Sequence, residues 1–266
     1  MSIHPTAIID PGAELDSSVT VGPYAIIEKG VKIGAGSEVA GHAVISGSTF
    51  IGERNKIGSF STIGVPPQDL KYNNEDTRVV IGNDNIIREY VSIHRGTPSG
   101  RSQTTIGSNN LLMAYVHIAH DCKLADYIIM ANAAQLSGHV DVEDRVTFGG
   151  FVAVHQFTRI GKYAYVGGMS GITKDVPPYL LVSGTRSGMR ITGINKIGLK
   201  RSGFDNETIR KMMKAYQIIF KTPGLLLKDA LDQALEEIPD CEPVEYLVNF
   251  FNNSQRNVVR ESSDDE

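Results

Sequence analysis

From Ile3 onward an aliphatic residue recurs at every sixth position for eleven steps, through Ile9, Leu15, Val21, Ile27, Ile33, Val39, Ile45, Ile51, Ile57 and Ile63. The phase returns at Ile81, Ile87 and Ile93, moves by one residue at Ile106, and runs on through Leu112, Ile118, Leu124, Met130, Leu136, Val142, Phe148, Val154, Ile160 and Val166 to Ile172. A chain that is 41% hydrophobic would fill all these sites with apolar residues on the order of once in 10^10 trials. Period six matches no helix, and it contains three strand periods, so the unit is a short strand plus a corner. Three such units close a triangular coil of about 18 residues, and stacked coils repeat at roughly 4.8 Å, the inter-strand spacing of a sheet. The lattice aliphatics then point inward as one continuous core, and about nine coils make a prism roughly 43 Å long. Glycine follows the lattice residue at Gly22, Gly34, Gly52, Gly58, Gly64, Gly82, Gly107 and Gly161, where corners are expected to require positive φ.

The lattice is interrupted at residues 64–80 and 94–105. Insertions in a solenoid become loops on one face, commonly the working face. The first carries Gln68, Asp69, Leu70, Lys71 and Tyr72, the second His94, Arg95, Gly96, Thr97 and Arg101. Beyond Ile172 the run Asp175-Val176-Pro177-Pro178-Tyr179 closes the repeat, and from about Ile191 apolar residues take helical spacing. Asp205 is placed to cap a helix over 207–220, which Pro223-Gly224 ends, and two amphipathic helices follow over 225–238 and 244–259. The expected organisation is a β-solenoid over 1–186, an α-helical region over 187–260, and a polar tail over 261–266 too hydrophilic to fold.

A formal charge of −4 over 266 residues offers no attraction to nucleic acid or to an anionic membrane surface. No apolar run reaches transmembrane length, and because the repeat begins at residue 3 no signal peptide is expected. Cys122 and Cys241 fall in different regions, so a reducing, cytoplasmic setting is expected.

Candidate chemistry concentrates between residues 117 and 156. Positions 120, 138 and 156 differ by 18 and share one vertical line, so His120 sits one coil from Gly138-His139 and two from His155-Gln156. A histidine beside Asp121 is a candidate general base with its orienting carboxylate, and Gly138 allows a carbonyl to approach a backbone N–H, as an oxyanion site requires. Neighbours along a strand point to opposite faces, which counts against the role of Asp121 more than against that of His120. Gly149-Gly150 and Gly167-Gly168 are again 18 apart and leave a side-chain-free line, suited to an extended chain. Cys122 reads as a small buried thiol.

The segments His117-Ile118-Ala119-His120-Asp121-Cys122, Leu136-Ser137-Gly138-His139, Gly149-Gly150, Ala153-Val154-His155-Gln156-Phe157, Val166-Gly167-Gly168 and Gly198-Leu199-Lys200-Arg201, with the loop Gln68-Asp69-Leu70-Lys71-Tyr72, resemble the UDP-N-acetylglucosamine O-acyltransferases of lipid A biosynthesis over almost the whole chain. That resemblance implies a left-handed prism acting as a homotrimer. It implies transfer of an (R)-3-hydroxyacyl group from acyl carrier protein to the sugar 3-hydroxyl, with no metal and no cofactor beyond the carrier-bound donor. It further implies that His120 is the base, that Asp121 supports the imidazolium, and that Gly138 binds the oxyanion. Gln68, Asp69, Lys71, His117, His139 and His155 would line the sugar and acyl pocket; Gln156, Asn195 and Arg201 would hold the nucleotide; Gly150, Gly168 and Met169 would form the acyl groove.

The chain departs from the family where Lys-Arg-Arg-Gly-Phe reads Lys200-Arg201-Ser202-Gly203-Phe204. Arg186 and Arg190 are candidates to replace the missing arginine. The family's Ser-x-Arg-Gly reads Ser254-Gln255-Arg256-Asn257 here. A rival reading is a γ-class carbonic anhydrase-like zinc site formed by His117, His120 and His139, which the inserted loops and helical segment disfavour. The related sugar N-acyltransferases and acetyltransferases are nearer rivals, and a non-catalytic binding solenoid is a third class.

Overall fold

The computed structural model describes residues 2–185, 188–254 and 257–258. The hexapeptide lattice folds into a prism whose three walls are sheets of 11, 9 and 8 short strands, parallel except for the last pair of the largest, here called the first, second and third sheets. The chain visits them in turn, so each strand pairs with the one a full coil away, as in Lys123↔Asp141↔Arg159. The register offset of 18 rises to 30 across the first insertion, as in Ile57↔Ile87, and to 25 across the second, as in Ile93↔Ile118. The first insertion thus adds a multiple of six residues and preserves the lattice phase; the second adds seven and displaces it by one, which accounts for the shift at Ile106.

From Val21 to Ile172 the lattice side chains are at most 4% exposed, each removing apolar area worth about 1.5–3 kcal/mol from water. At the N-terminal end the stack stops, and Ile3 remains 41% exposed. Three asparagines also stack inside the core: Asn85 Nδ2 donates to Asn55 Oδ1 at 2.9 Å, and the Asn110 N–H donates to Asn85 Oδ1 at 2.9 Å, satisfying polar groups that burial would otherwise leave costly.

The corners correct one expectation. Of the eight glycines that follow a lattice residue, Gly64 alone has a left-handed φ, at 79°. The others are needed because coils approach closely: a Cβ on Gly22 would lie 2.6 Å from the Gly41 nitrogen, and one on Gly58 2.5 Å from the Arg88 carbonyl carbon. The left-handed conformation instead falls on the second corner residue, including Tyr24, His42, Phe60, Tyr90 and Tyr115. This costs bulky residues strain, which ring stacking offsets, with successive centroids 4.8–5.1 Å apart along that edge.

After the last coil, Leu180–Ser183 pairs parallel with Tyr165–Val166 and antiparallel with Arg190–Ile194. Helical spacing was expected from about Ile191, but Arg190–Ile194 is a strand, because its apolar side chains cap the open end of the prism. The expected boundary at 186/187 falls between these paired strands, outside the described residues. Four helices follow: α1 (Lys196–Arg201), α2 (Asn206–Lys221), α3 (Leu227–Glu237) and α4 (Glu242–Asn252). Asp205 caps α2 as anticipated, accepting from the Thr208 N–H. The last helix stops at Asn252 rather than reaching 259; Asn257 instead accepts the Asp175 N–H at 3.0 Å, and Ser254 Oγ donates to Asp175 Oδ2 at 2.7 Å. Glu143 ties the helices to the prism, accepting from Arg159, from the Lys162 N–H and from Tyr246 Oη. The expected tail at 261–266, with Arg186, Gln255 and Arg256, lies outside the described residues. No helix among those described is long and apolar enough to cross a membrane.

Candidate active site

The second and third sheets meet at a corner built from residues 120–121, 138–139 and 156–157 on three successive coils. Here the chain turns, so the strand rule that separates neighbouring side chains no longer applies. Asp121 takes a φ of 61°, and its Oδ2 lies 2.9 Å from His120 Nδ1. The two side chains meet as an orienting carboxylate requires, which strand alternation alone would not give. Gly138 stands one coil above, and a Cβ there would lie 2.6 Å from His120 Cε1 and 2.8 Å from Nε2. The glycine makes room for the imidazole itself, beyond any approach of substrate, and it places Nε2 beside the backbone of residue 138. His139 packs edge-on against His120 with centroids 5.1 Å apart and stacks on Phe157 at 4.4 Å.

Asp121 is fully buried. Burial pushes its carboxyl up, but hydrogen bonds from His120, from the Thr97 side chain and N–H, and from the Arg101 N–H outweigh it and bring the pKa down to about 2. The residue is a carboxylate across the functional pH range, suited to hold an imidazole in one tautomer and to stabilise its cation. Burial lowers the pKa of His94 to about 4, aided by His117 and His120. Burial also lowers His117 and His139, with His120 contributing to both and Asp121 partly opposing the shift at His139. His117 is fixed by Ser92, whose Oγ lies 2.8 Å from Nδ1. Among the described residues of the single chain, the potential ligand atoms within 4.8 Å of one another belong to His120, Asp121 and His139, without His117. Asp121 already spends its oxygens on N–H and O–H donors.

Full-length comparison decides the family. A protein of Alkalilimnicola ehrlichii named acyl-[acyl-carrier-protein]–UDP-N-acetylglucosamine O-acyltransferase is 53% identical, the match covering 97% of this chain and 99% of that one. A protein of the same name from Syntrophobacter fumaroxidans is 51% identical over 98% and 100%. The chain belongs to the UDP-N-acetylglucosamine O-acyltransferase family. The family model described as UDP N-acetylglucosamine O-acyltransferase, domain 2, matches residues 175–259. Among solved structures, LpxA from Acinetobacter baumannii superposes with a TM-score of 0.92 at 45% identity, covering 97% of this chain and 99% of that one. UDP-N-acetylglucosamine O-acyltransferase from Moraxella catarrhalis does so with 0.92 at 42%, covering 98% and 100%. The fold class expected from the resemblance, a left-handed parallel β-helix followed by helices, stands.

Around the His120–Asp121 pair the structure gathers some expected residues and separates others. Asp69 lies in the first insertion close enough to act on His139. Its Oδ1 accepts the Lys71 N–H at 2.9 Å, and Gln68 and Lys71 are exposed beside it. His155 and Gln156 stand on the same corner two coils above His120. A cleft of about 910 Å³ opens between Arg101, His139, Gln156, Phe157 and Asn253, on the His139 side of the dyad. Asn195 caps α1 instead of facing this corner: its Oδ1 accepts the Gly198 N–H and its Nδ2 donates to the Tyr163 carbonyl. Arg201 is exposed in the last turn of α1, next to Ser202. Gly150, Gly168 and Met169 lie on the other edge, where the first and second sheets meet, with Met169 81% exposed. Cys122 is inert, since burial pushes its thiol up to about 12.

His94, Thr97 and Arg101 were named only as part of an insertion on the working face, without a place in the site. Their loop stood out as an interruption of the lattice, but nothing in its composition indicated that it folds back over Asp121.

Proposed function

We propose that this protein transfers an (R)-3-hydroxyacyl group from acyl carrier protein to the 3-hydroxyl of UDP-N-acetylglucosamine, the first step of lipid A assembly. The observation that carries the reading is the His120–Asp121 contact over Gly138, in a chain about half identical to named O-acyltransferases along its whole length. In this reading His120 Nε2 accepts the sugar hydroxyl proton as the oxygen attacks the thioester carbonyl, because a neutral alcohol is a weak nucleophile. Asp121 stabilises the imidazolium, and the Gly138 N–H faces the tetrahedral oxyanion. Collapse breaks the C–S bond, and the imidazolium returns the proton to the departing carrier thiolate, so no metal or further cofactor enters the balance. Gln68, Asp69, Lys71, His117, His139 and His155 line the sugar and acyl pocket, with Gln156 and Arg201 toward the nucleotide and Asn195 fixing the α1 turn that carries Arg201.

The site is completed between copies of the chain. His120 and the Gly150–Gly168 line occupy different edges of the triangular prism, so an acyl chain lying in that groove meets a base supplied by a neighbour. Three prisms closed about an axis satisfy this with one repeated interface. A cytoplasmic location accords with carrier protein and nucleotide sugar as substrates. The test is an assay with UDP-N-acetylglucosamine and a 3-hydroxyacyl carrier protein. Turnover should fall at least about 10^2-fold in His120→Ala, and near-normal turnover by a folded variant overturns the assignment. Mixing His120→Ala subunits with Gly168→Met subunits should restore part of the long-chain activity; a fully active monomer would refute the shared site.

A further inference from the structure

The second insertion, residues 95–102, closes over the buried carboxylate of Asp121. Thr97 is 1% exposed, its Oγ1 donates to Asp121 Oδ2 at 2.6 Å, and its N–H reaches both carboxylate oxygens at 3.1 Å. The Arg101 N–H donates to Oδ1 at 2.7 Å. The loop is anchored outside by the paired contacts of the Arg101 guanidinium with Asp141. A Cβ on Gly100 would overlap the Asp121 carboxylate, so the backbone passes directly across it. Oδ2 is also the oxygen that meets His120 Nδ1. Two side-chain donors therefore share one oxygen: the imidazole and the Thr97 hydroxyl.

We propose that Thr97 is a positioning residue for the reaction, its hydroxyl fixing the Asp121 carboxylate and setting how strongly that carboxylate polarises His120. The inference rests on His120 being the general base. A hydroxyl that donates to Oδ2 withdraws charge from it, so Oδ2 is a weaker acceptor toward the imidazole. Removing it leaves the imidazolium better stabilised, and the acid limb of the rate profile moves to higher pH. The other charged and titratable groups around the dyad stay in place. They are His139, edge-on to His120; His94 and His117 below it; Arg101 over the Asp121 carbonyl; and Asp69 and Asp141 beyond His139 and Arg101.

Thr97→Val keeps the β-branched shape and deletes the donor, while Thr97→Ser keeps the donor. The measurement is kcat and KM against pH from 5 to 9 on the intact protein. Thr97→Val is expected to lower kcat about tenfold, because the released carboxylate no longer holds the imidazole in its reacting geometry, a loss that outweighs the gain in basicity. KM for UDP-N-acetylglucosamine should change less than about twofold, and the acid limb should rise by about half a pH unit or more. Thr97→Ser should restore both. A purely structural role lowers the melting temperature without moving the acid limb, and that outcome overturns the proposal, as does a serine variant as impaired as the valine one. If Thr97→Val fails to fold, Thr97→Ala carries the same comparison. His120→Ala run alongside separates the two readings: an inactive His120→Ala with an unshifted Thr97→Val refutes only this inference, whereas an active His120→Ala refutes the base itself.

Discussion

Gly138→Ala isolates the packing that aims His120. The added Cβ would meet Cε1 at 2.6 Å and Nε2 at 2.8 Å, whereas carbon contacts settle near 3.5–4.0 Å, so the ring must retreat by roughly 0.8 Å. The 2.9 Å contact with Asp121 Oδ2 cannot absorb that movement, since Asp121 is pinned by Thr97 and Arg101. A displacement of about 1 Å in a reacting group can cost about 10^2-fold in rate, so kcat is expected to fall between about 10- and 10^2-fold. Alanine retains the N–H, so the loss would not come from the oxyanion site. Gly138 does not adopt a left-handed φ, so the backbone accepts alanine; the contact with the imidazole opposes the stabilisation of about 0.4–1 kcal/mol that Gly→Ala gives at an unstrained position, and the melting temperature should change by only a few degrees. The assay is steady-state acyl transfer together with calorimetry, for Gly138→Ala, His120→Ala and the double variant. If Gly138 acts through His120, the double variant is little slower than His120→Ala alone. A fully active Gly138→Ala, or a double variant reduced by the product of both losses, would refute this account.

His94 makes stability pH-dependent. Its pKa in the folded protein, about 4, lies below the unfolded value near 6.5, so the unfolded chain binds the extra proton. Stability is then full above about pH 6.5 and is lost as pH falls toward 4, by about 2 kcal/mol at pH 5. His94→Gln should flatten that slope in denaturant titrations, and an unchanged slope would show that His94 is not its source. Gly168→Met should favour shorter donors, since each buried methylene contributes about 0.8 kcal/mol; competition among hydroxyacyl carrier proteins of about ten to sixteen carbons reads this directly, and unchanged selectivity would place the chain-length limit elsewhere. Glu143→Gln should weaken the docking of the helices on the prism, because Arg159 and Tyr246 lose a charged partner at a half-buried site; native-state hydrogen exchange should rise first in α4 and leave the prism protected.

The solenoid was legible in the chain because its core is one-dimensional. Each lattice residue packs against the residue one coil away, so a fixed period in sequence is a fixed contact in space, and the phase of that period reported the length of each insertion modulo six. The vertical grouping of His120, Gly138 and Gln156 followed from the same arithmetic. What the period could not supply is what happens where the chain leaves it. Corner geometry turned Asp121 back toward His120 instead of away, and put the left-handed conformation on second-corner residues, many of them aromatic, while all but one of the glycines after lattice residues served close coil contacts. The residues that ionise and fix Asp121 lie 20 and 24 positions earlier in an insertion with no period, so only folding of that loop over the corner could bring Thr97 and Arg101 there. The ends of α4 and of the strand at Arg190–Ile194 were likewise set by docking on the prism, since the apolar spacing there is compatible with more than one element and the open end of the core selects among them.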